Sequence, residues 1–221
     1  MKHLIVAGAL LTALYGGEAG AIVIAERSGA IDATEADPEL AVVFTTTVPF
    51  TNVAVSAPFA STSPTLNGSG TVYLTDNIGP GTTVADELAR VTLSNLSPGT
   101  FSTPSITLFT GLTLAAGTYY LISASDTGEP GIGWMTTRNP GTETTSAGTS
   151  IGGDLFTTSG VIPAYPPASP DFASNGFREL LFEVTGDSQV SNIPEPETYA
   201  MLLAGLGLMG FAARRRKQKA A

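Results

Sequence analysis

The final twenty-nine residues, Ile193 to Ala221, carry a Pro-Glu-Pro triplet, an apolar run and a basic cluster, in that order. Pro194 and Pro196 fix their own φ and bias Ile193 and Glu195 toward extended backbone, so the triplet joins neither a helix nor a central strand. It reads as a stiff, exposed peptide. Tyr199 to Ala213 holds no charge and nothing more polar than the Tyr199 hydroxyl. As a helix these fifteen residues span roughly 22 Å, short of the ~30 Å hydrocarbon core of a bilayer. Snorkelling by Arg214 and local thinning close such a gap at modest cost. A buried core helix is the soluble alternative for a run of this length. Against it, the run is apolar on every face and leads straight into Arg214, Arg215, Arg216 and Lys217. Four consecutive cations act as a stop-transfer signal and keep the tip, 214–219, cytoplasmic. The expectation is a transmembrane helix over 199–213.

Taken together, Pro194-Glu195-Pro196, the apolar run from Tyr199 and the cluster Arg214 to Lys217 resemble the PEP-CTERM protein-sorting signal of Gram-negative bacteria. The same tail is also named after the C-terminus of an ice-binding protein, a name that describes a sorting tag and not a ligand. The resemblance covers about an eighth of the chain, residues 193–221. It implies processing by an exosortase, a membrane-embedded enzyme, with Glu195 as the carboxylate that the enzyme reads. It further implies passage through the inner membrane to the cell surface or an exopolysaccharide matrix.

The N-terminus reads as a second address. Lys2 is a one-cation n-region, Leu4 to Tyr15 is an apolar h-region, and Ala19-Gly20-Ala21 is a small-x-small cleavage site. A signal peptide over 1–21 leaves a mature start at Ile22, a body over 22–184, a polar linker over 185–192 and the sorting tail over 193–221.

Without its two ends the chain changes character. Residues 22–192 hold sixteen acids against Arg27, Arg90, Arg138 and Arg178, a net charge of −12, and no lysine. Such a body repels phosphate backbones, so nucleic acid is not an expected partner. The chain contains no cysteine, so no disulfide framework supports it on the export route.

The body reads as short strands between Gly- and Pro-rich turns. The strand-like stretches are Leu40–Thr47, Phe50–Ser56, Thr71–Thr75, Ala89–Leu93, Phe101–Phe109, Leu112–Leu114, Gly117–Ser123, Ile132–Met135 and Phe177–Val184. Gly68-Ser69-Gly70 reads as a turn, and Val84 to Leu88 as one helical turn. Arg138–Gly153, rich in Thr, Ser and Gly, and Ser159–Asn175, with four prolines, read as long surface loops. This spacing predicts an all-β protein, an antiparallel β-sandwich of jelly-roll or immunoglobulin-like type. Phe44-Thr-Thr, the segment Leu112 to Leu121 and Gly133-Trp134 together look like the choice-of-anchor surface domains. That resemblance implies a surface module on a β-sandwich and no particular ligand.

Absent residue types decide most of the chemistry. His3, the only histidine, leaves with the signal peptide, so the body has no imidazole base and no His or Cys zinc ligand. Without lysine it has no amine nucleophile. No catalytic residues are assigned, and the expectation is a non-enzymatic structural or adhesive protein. A hydrolase built on paired carboxylates is the remaining enzymatic alternative. No cofactor is required; calcium is the one metal ion the composition suits, at Asp76-Asn77 with Asp86-Glu87 or at Asp126-Thr-Gly-Glu129. Neither stretch has the spacing of a known calcium loop. A carbohydrate-binding module is the other alternative, through ring stacking by Trp134, Tyr119 or Tyr120. Adjacent tyrosines on a strand face opposite ways, which sends one of the two to the core.

Overall fold

The computed structural model describes residues 20–35, 38–99, 103–125, 130–137, 140–158, 160–175, 179–189 and 201–209. The chain divides into a body, up to Gln189, and a tail from Val190.

Fourteen strands build the described body: β1 (Ile22–Ser28), β2 (Ala33–Glu35), β3 (Glu39–Thr46), β4 (Phe50–Ser61), β5 (Gly68–Thr75), β6 (Glu87–Leu96), β7 (Ser105–Leu114), β8 (Gly117–Ser125), β9 (Ile132–Thr137), β10 (Thr142–Thr145), β11 (Thr149–Thr157), β12 (Phe172–Asn175), β13 (Glu179–Leu180) and β14 (Phe182–Ser188). One sheet runs β10-β1-β14-β4-β9-β13, with β7 also on β4 and β2 also on β9. The other runs β12-β11-β3-β8-β5-β6, and every strand pair is antiparallel. The expected antiparallel two-sheet β architecture is what the body adopts.

The alternation of side chains decides which residues meet between the sheets. On β3, Leu40, Val42 and Phe44 face inward and pack with Phe50, Trp134 and Phe182 from the other sheet. Phe44 lies 6.4 Å from Phe182 and Phe59 lies 4.8 Å from Trp134, ring centre to ring centre. Trp134 is fully buried, and its Nε1–H donates to the Leu181 carbonyl at 2.7 Å. That bond removes the penalty of burying an indole N–H.

Several boundaries differ from the sequence reading. The two stretches around Gly111 form one strand, β7, in which Gly111 has φ +71° and absorbs an irregularity in the pairing with β4. Gly68 and Gly70 belong to β5, not to a turn. A Cβ on Gly70 would sit 2.6 Å from the Ala124 carbonyl oxygen, so only glycine lets this strand approach its neighbours so closely. β14 continues through Thr185 to Ser188, and the Gln189 N–H reaches the Pro49 carbonyl at 3.0 Å. Val84–Asp86 forms a 3₁₀ turn, capped by Thr83 and Asp86 in a reciprocal box.

The largest corrections concern the two supposed loops. Within 138–153, β10 pairs with β1 and β11 pairs with β3. Residues 160–171 lie as a lid over the outer face of the second sheet and lead into β12. There Ile78, Tyr165 and Phe172 cover Ala41, Tyr73, Ile122 and Ala124 to form a second, smaller core. Tyr165 meets Tyr73 edge-on at 5.8 Å, and the Gly79 N–H donates to the Pro167 carbonyl at 2.7 Å. A proline-rich segment cannot join a ladder, but it packs well as a rigid apolar cover.

Candidate functional site

The tail's own geometry comes first. Met201 to Met209 are helical with every side chain exposed, and Met201, Leu203 and Leu208 are each about 70% exposed or more. A helix apolar on every side does not belong to a water-facing surface. No helix among the described residues is long and apolar enough to cross a membrane. Pro194, Glu195, Pro196, Arg214, Arg215, Arg216, Lys217 and the cleavage-site residue Ala19 lie outside the described residues. Ala21 is exposed and directly precedes β1.

Residues 192–217 match the PEP-CTERM protein-sorting motif. The match falls on the stretch whose composition marks it as an address. No curated protein and no solved structure is detectably similar to the chain. The PEP-CTERM tail therefore carries the functional information, and the body has to be read from its own groups.

Two buried charged centres lie among the described residues of the body, and neither is visible as a sequence motif. The first is Arg27 on β1, 4% exposed. Its Nη1–H donates to Asp154 Oδ1 at 2.6 Å and to the Leu180 carbonyl at 3.3 Å. Its Nη2–H donates to Glu143 Oε1 at 2.9 Å and to the Gly152 carbonyl at 3.3 Å. The second oxygen of Asp154 accepts the Leu180 N–H at 2.7 Å. Glu179 stands 3.9 Å from Arg27 Nε and accepts the Gly141 N–H at 2.6 Å. Burial works against the guanidinium charge, but Asp154 and Glu143 outweigh it and hold the pKa above its ordinary value. Burial pushes the Asp154 carboxyl up, opposed by Arg27 and the Leu180 N–H. Because β1 and β11 belong to different sheets, the pair is a clamp across the sandwich.

The second centre is Glu39, fully buried at the start of β3. It faces outward, beside Ala41 and under the 160–171 lid. Among the described residues, neither of its carboxylate oxygens closes a hydrogen bond of good geometry, nor do the buried hydroxyls of Thr157, Ser169 and Thr82. Burial lifts its pKa to about 7; the nearby hydroxyls of Ser169 and Thr157 oppose the rise and the Asp171 carboxylate adds to it.

The sequence-predicted ligand sites fare differently. Trp134 and Tyr119 are buried, at 0% and 4% exposure, so neither offers a face to a sugar ring. Tyr119 points into the main core and Tyr120 packs on the outer one, the opposite facing that adjacency requires. Of the calcium candidates, Asp86 is held by the N–H and hydroxyl of Thr83, and Glu87 by Arg90 and the Tyr165 hydroxyl. Asp126–Glu129 lie outside the described residues. No cluster of three or more acidic, His or Cys ligands occurs among the described residues.

Acids also come together at Glu26 and Glu183, cross-strand neighbours on β1 and β14. They line a shallow depression of about 230 Å³, where the Ser56 hydroxyl donates to Glu183 at 3.4 Å. A second depression, about 300 Å³, holds Asp32 as the one charged residue among the described residues of its lining. A sandwich of this kind behind a PEP-CTERM tail fits a non-enzymatic surface protein.

Proposed function

We propose that this chain is the precursor of an exported surface protein, sorted and trimmed at its C-terminus by an exosortase. The observation that carries this reading is the PEP-CTERM motif at 192–217. Residues 1–21 direct export and are removed after Ala21. The body folds outside, while 199–213 lodges in the inner membrane with Arg214, Arg215, Arg216 and Lys217 on the cytoplasmic side. The exosortase then reads Pro194-Glu195-Pro196 and releases the body to the surface or to the exopolysaccharide matrix, where it has a structural or adhesive role. The placement of the strands supports this order of events. β1 begins at Ile22 and β14 ends at Ser188, so cuts after Ala21 and near Pro194 leave every strand of the body in place.

Glu195→Ala tests the reading. The expected result is full-length protein minus its signal peptide, held in the inner-membrane fraction, with none at the surface. Normal trimming and release of that variant would overturn it. The body is unaffected by this substitution, so its melting temperature serves as the control for folding.

A further inference from the structure

Four buried oxygens that close no hydrogen bond among the described residues lie together at one end of the second sheet: both of Glu39 and the hydroxyls of Thr157 and Ser169. The ladder explains part of the gathering. Leu40 pairs with Phe156 in the antiparallel register, which puts Glu39 beside Thr157, both on the outer face. The 160–171 lid supplies Ser169, which is fully buried, and Asp171 follows it in sequence. Gly79 packs against the lid beside Ser169: its N–H bonds Pro167, and a Cβ there would meet the Ser169 carbonyl at 3.8 Å.

A buried carboxylate normally has a cation or several donors beside it. Among the described residues, the groups that set the charge of Glu39 are two hydroxyls and another carboxylate, Asp171. Both hydroxyls lie within reach of the carboxylate, yet neither meets it in good hydrogen-bond geometry. A proton satisfies one oxygen. A hard metal ion accepts lone pairs from all of them at once and needs no donor.

We propose that Glu39 is the anchoring carboxylate of a calcium site, completed by the Thr157 and Ser169 hydroxyls and closed by the 160–171 lid. Asp171 is the second charge at this site. Calcium fits better than magnesium, because it accepts irregular oxygen sets from strands and turns whereas magnesium demands a near-octahedral one. With two carboxylates the site belongs with the weak extracellular calcium modules, whose dissociation constants are on the order of 10⁻⁴–10⁻³ M. The bound ion would pin the lid to the sheet.

The test is thermal melting of the full chain in mild detergent, freed of metal with a chelator and then titrated with calcium chloride at constant ionic strength. At pH 8 calcium should raise the melting temperature by roughly 3–6 °C at ten times its dissociation constant. Glu39→Gln should remove this response to calcium. No calcium response in the wild-type chain overturns the proposal, as does an equal response in wild type and Glu39→Gln, which would place the ion on the acidic surface instead. If Glu39→Gln does not fold, the double variant Thr157→Val with Ser169→Ala decides by calorimetric titration. A dissociation constant at least about tenfold weaker supports the site, and an unchanged one overturns it.

Discussion

Two buried charged residues, Arg27 and Glu39, show how differently one acidic body can treat a charge. Arg27 is matched on every side: two carboxylates and two carbonyls accept from it within 3.3 Å. Its partners are unequal in weight, because Asp154 is 2% exposed at its side chain and Glu143 is 45% exposed. Water screens the Glu143 contact, so Glu143→Ala should cost less than about 1 kcal/mol. Arg27→Met strands the Asp154 carboxylate in the interior, and should cost about 3–5 kcal/mol. The pair itself adds much less than that, since two desolvated charges offset most of their own attraction. Arg27→Met combined with Asp154→Leu should therefore recover most of the loss. Urea unfolding midpoints of the three variants check this. A double variant no more stable than Arg27→Met would show that the clamp holds the sheets together through its hydrogen-bond geometry, and not merely by neutralising Asp154.

At the scale of elements, the 160–171 lid is expected to have a stability of its own. It is held by Tyr165 against Tyr73, by the Tyr165 hydroxyl donating to Glu87 at 3.3 Å, and by the Gly79–Pro167 bond. Those few contacts favour a lid that opens separately from the sheets below it. Tyr165→Ala removes the aromatic pair, whose geometry is worth about 0.5–1.5 kcal/mol beyond its buried area. Hydrogen exchange should then speed at Gly79 and Ser169 while the β3 and β8 amides stay protected; equal loss throughout would make the lid one unit with the sheet. The lid also marks the limit of what the sequence discloses. β3, β5, β8 and β9 were legible because each carries a run of β-branched, aromatic or other apolar residues bounded by turn residues. β11 was not, because its inward face carries Asp154, which is acceptable there only through Arg27, 127 positions away in sequence. The lid's prolines signal turn and exposure, and only the packing of Ile78, Tyr165 and Phe172 on Ala41 and Ile122 shows that they cover a face. Glu39 gave no signal at all, since a lone glutamate at a strand start looks solvated.

For the whole molecule, the distribution of amines turns the proposed maturation into a count. Lys2 lies in the proposed signal peptide and Lys217 and Lys219 lie in the tail, whereas residues 22–192 contain no lysine. A precursor retaining both ends therefore has four reactive amines, counting its N-terminal amine, and one that has lost only residues 1–21 has three. The fully processed body has one, the α-amine of Ile22. That amine is available, because Ile22 is exposed at the first position of β1. Ile22 pairs with Gly186, so the first residue of β1 and the end of β14 lie side by side. Protein recovered from the cell surface and treated with an amine-reactive reagent under denaturing conditions should thus gain one label per chain by intact mass. Inner-membrane protein from the Glu195→Ala variant should gain three. One label on both would mean that the tail is lost without the sorting residue, and three on the surface form would mean that the tail remains as a permanent anchor. The same count fixes the electrical character of the proposed mature protein, for cutting away both ends leaves a body whose side chains carry a net charge of −12 and whose side-chain cations are all arginines. A charge this far from zero keeps such a body soluble by mutual repulsion.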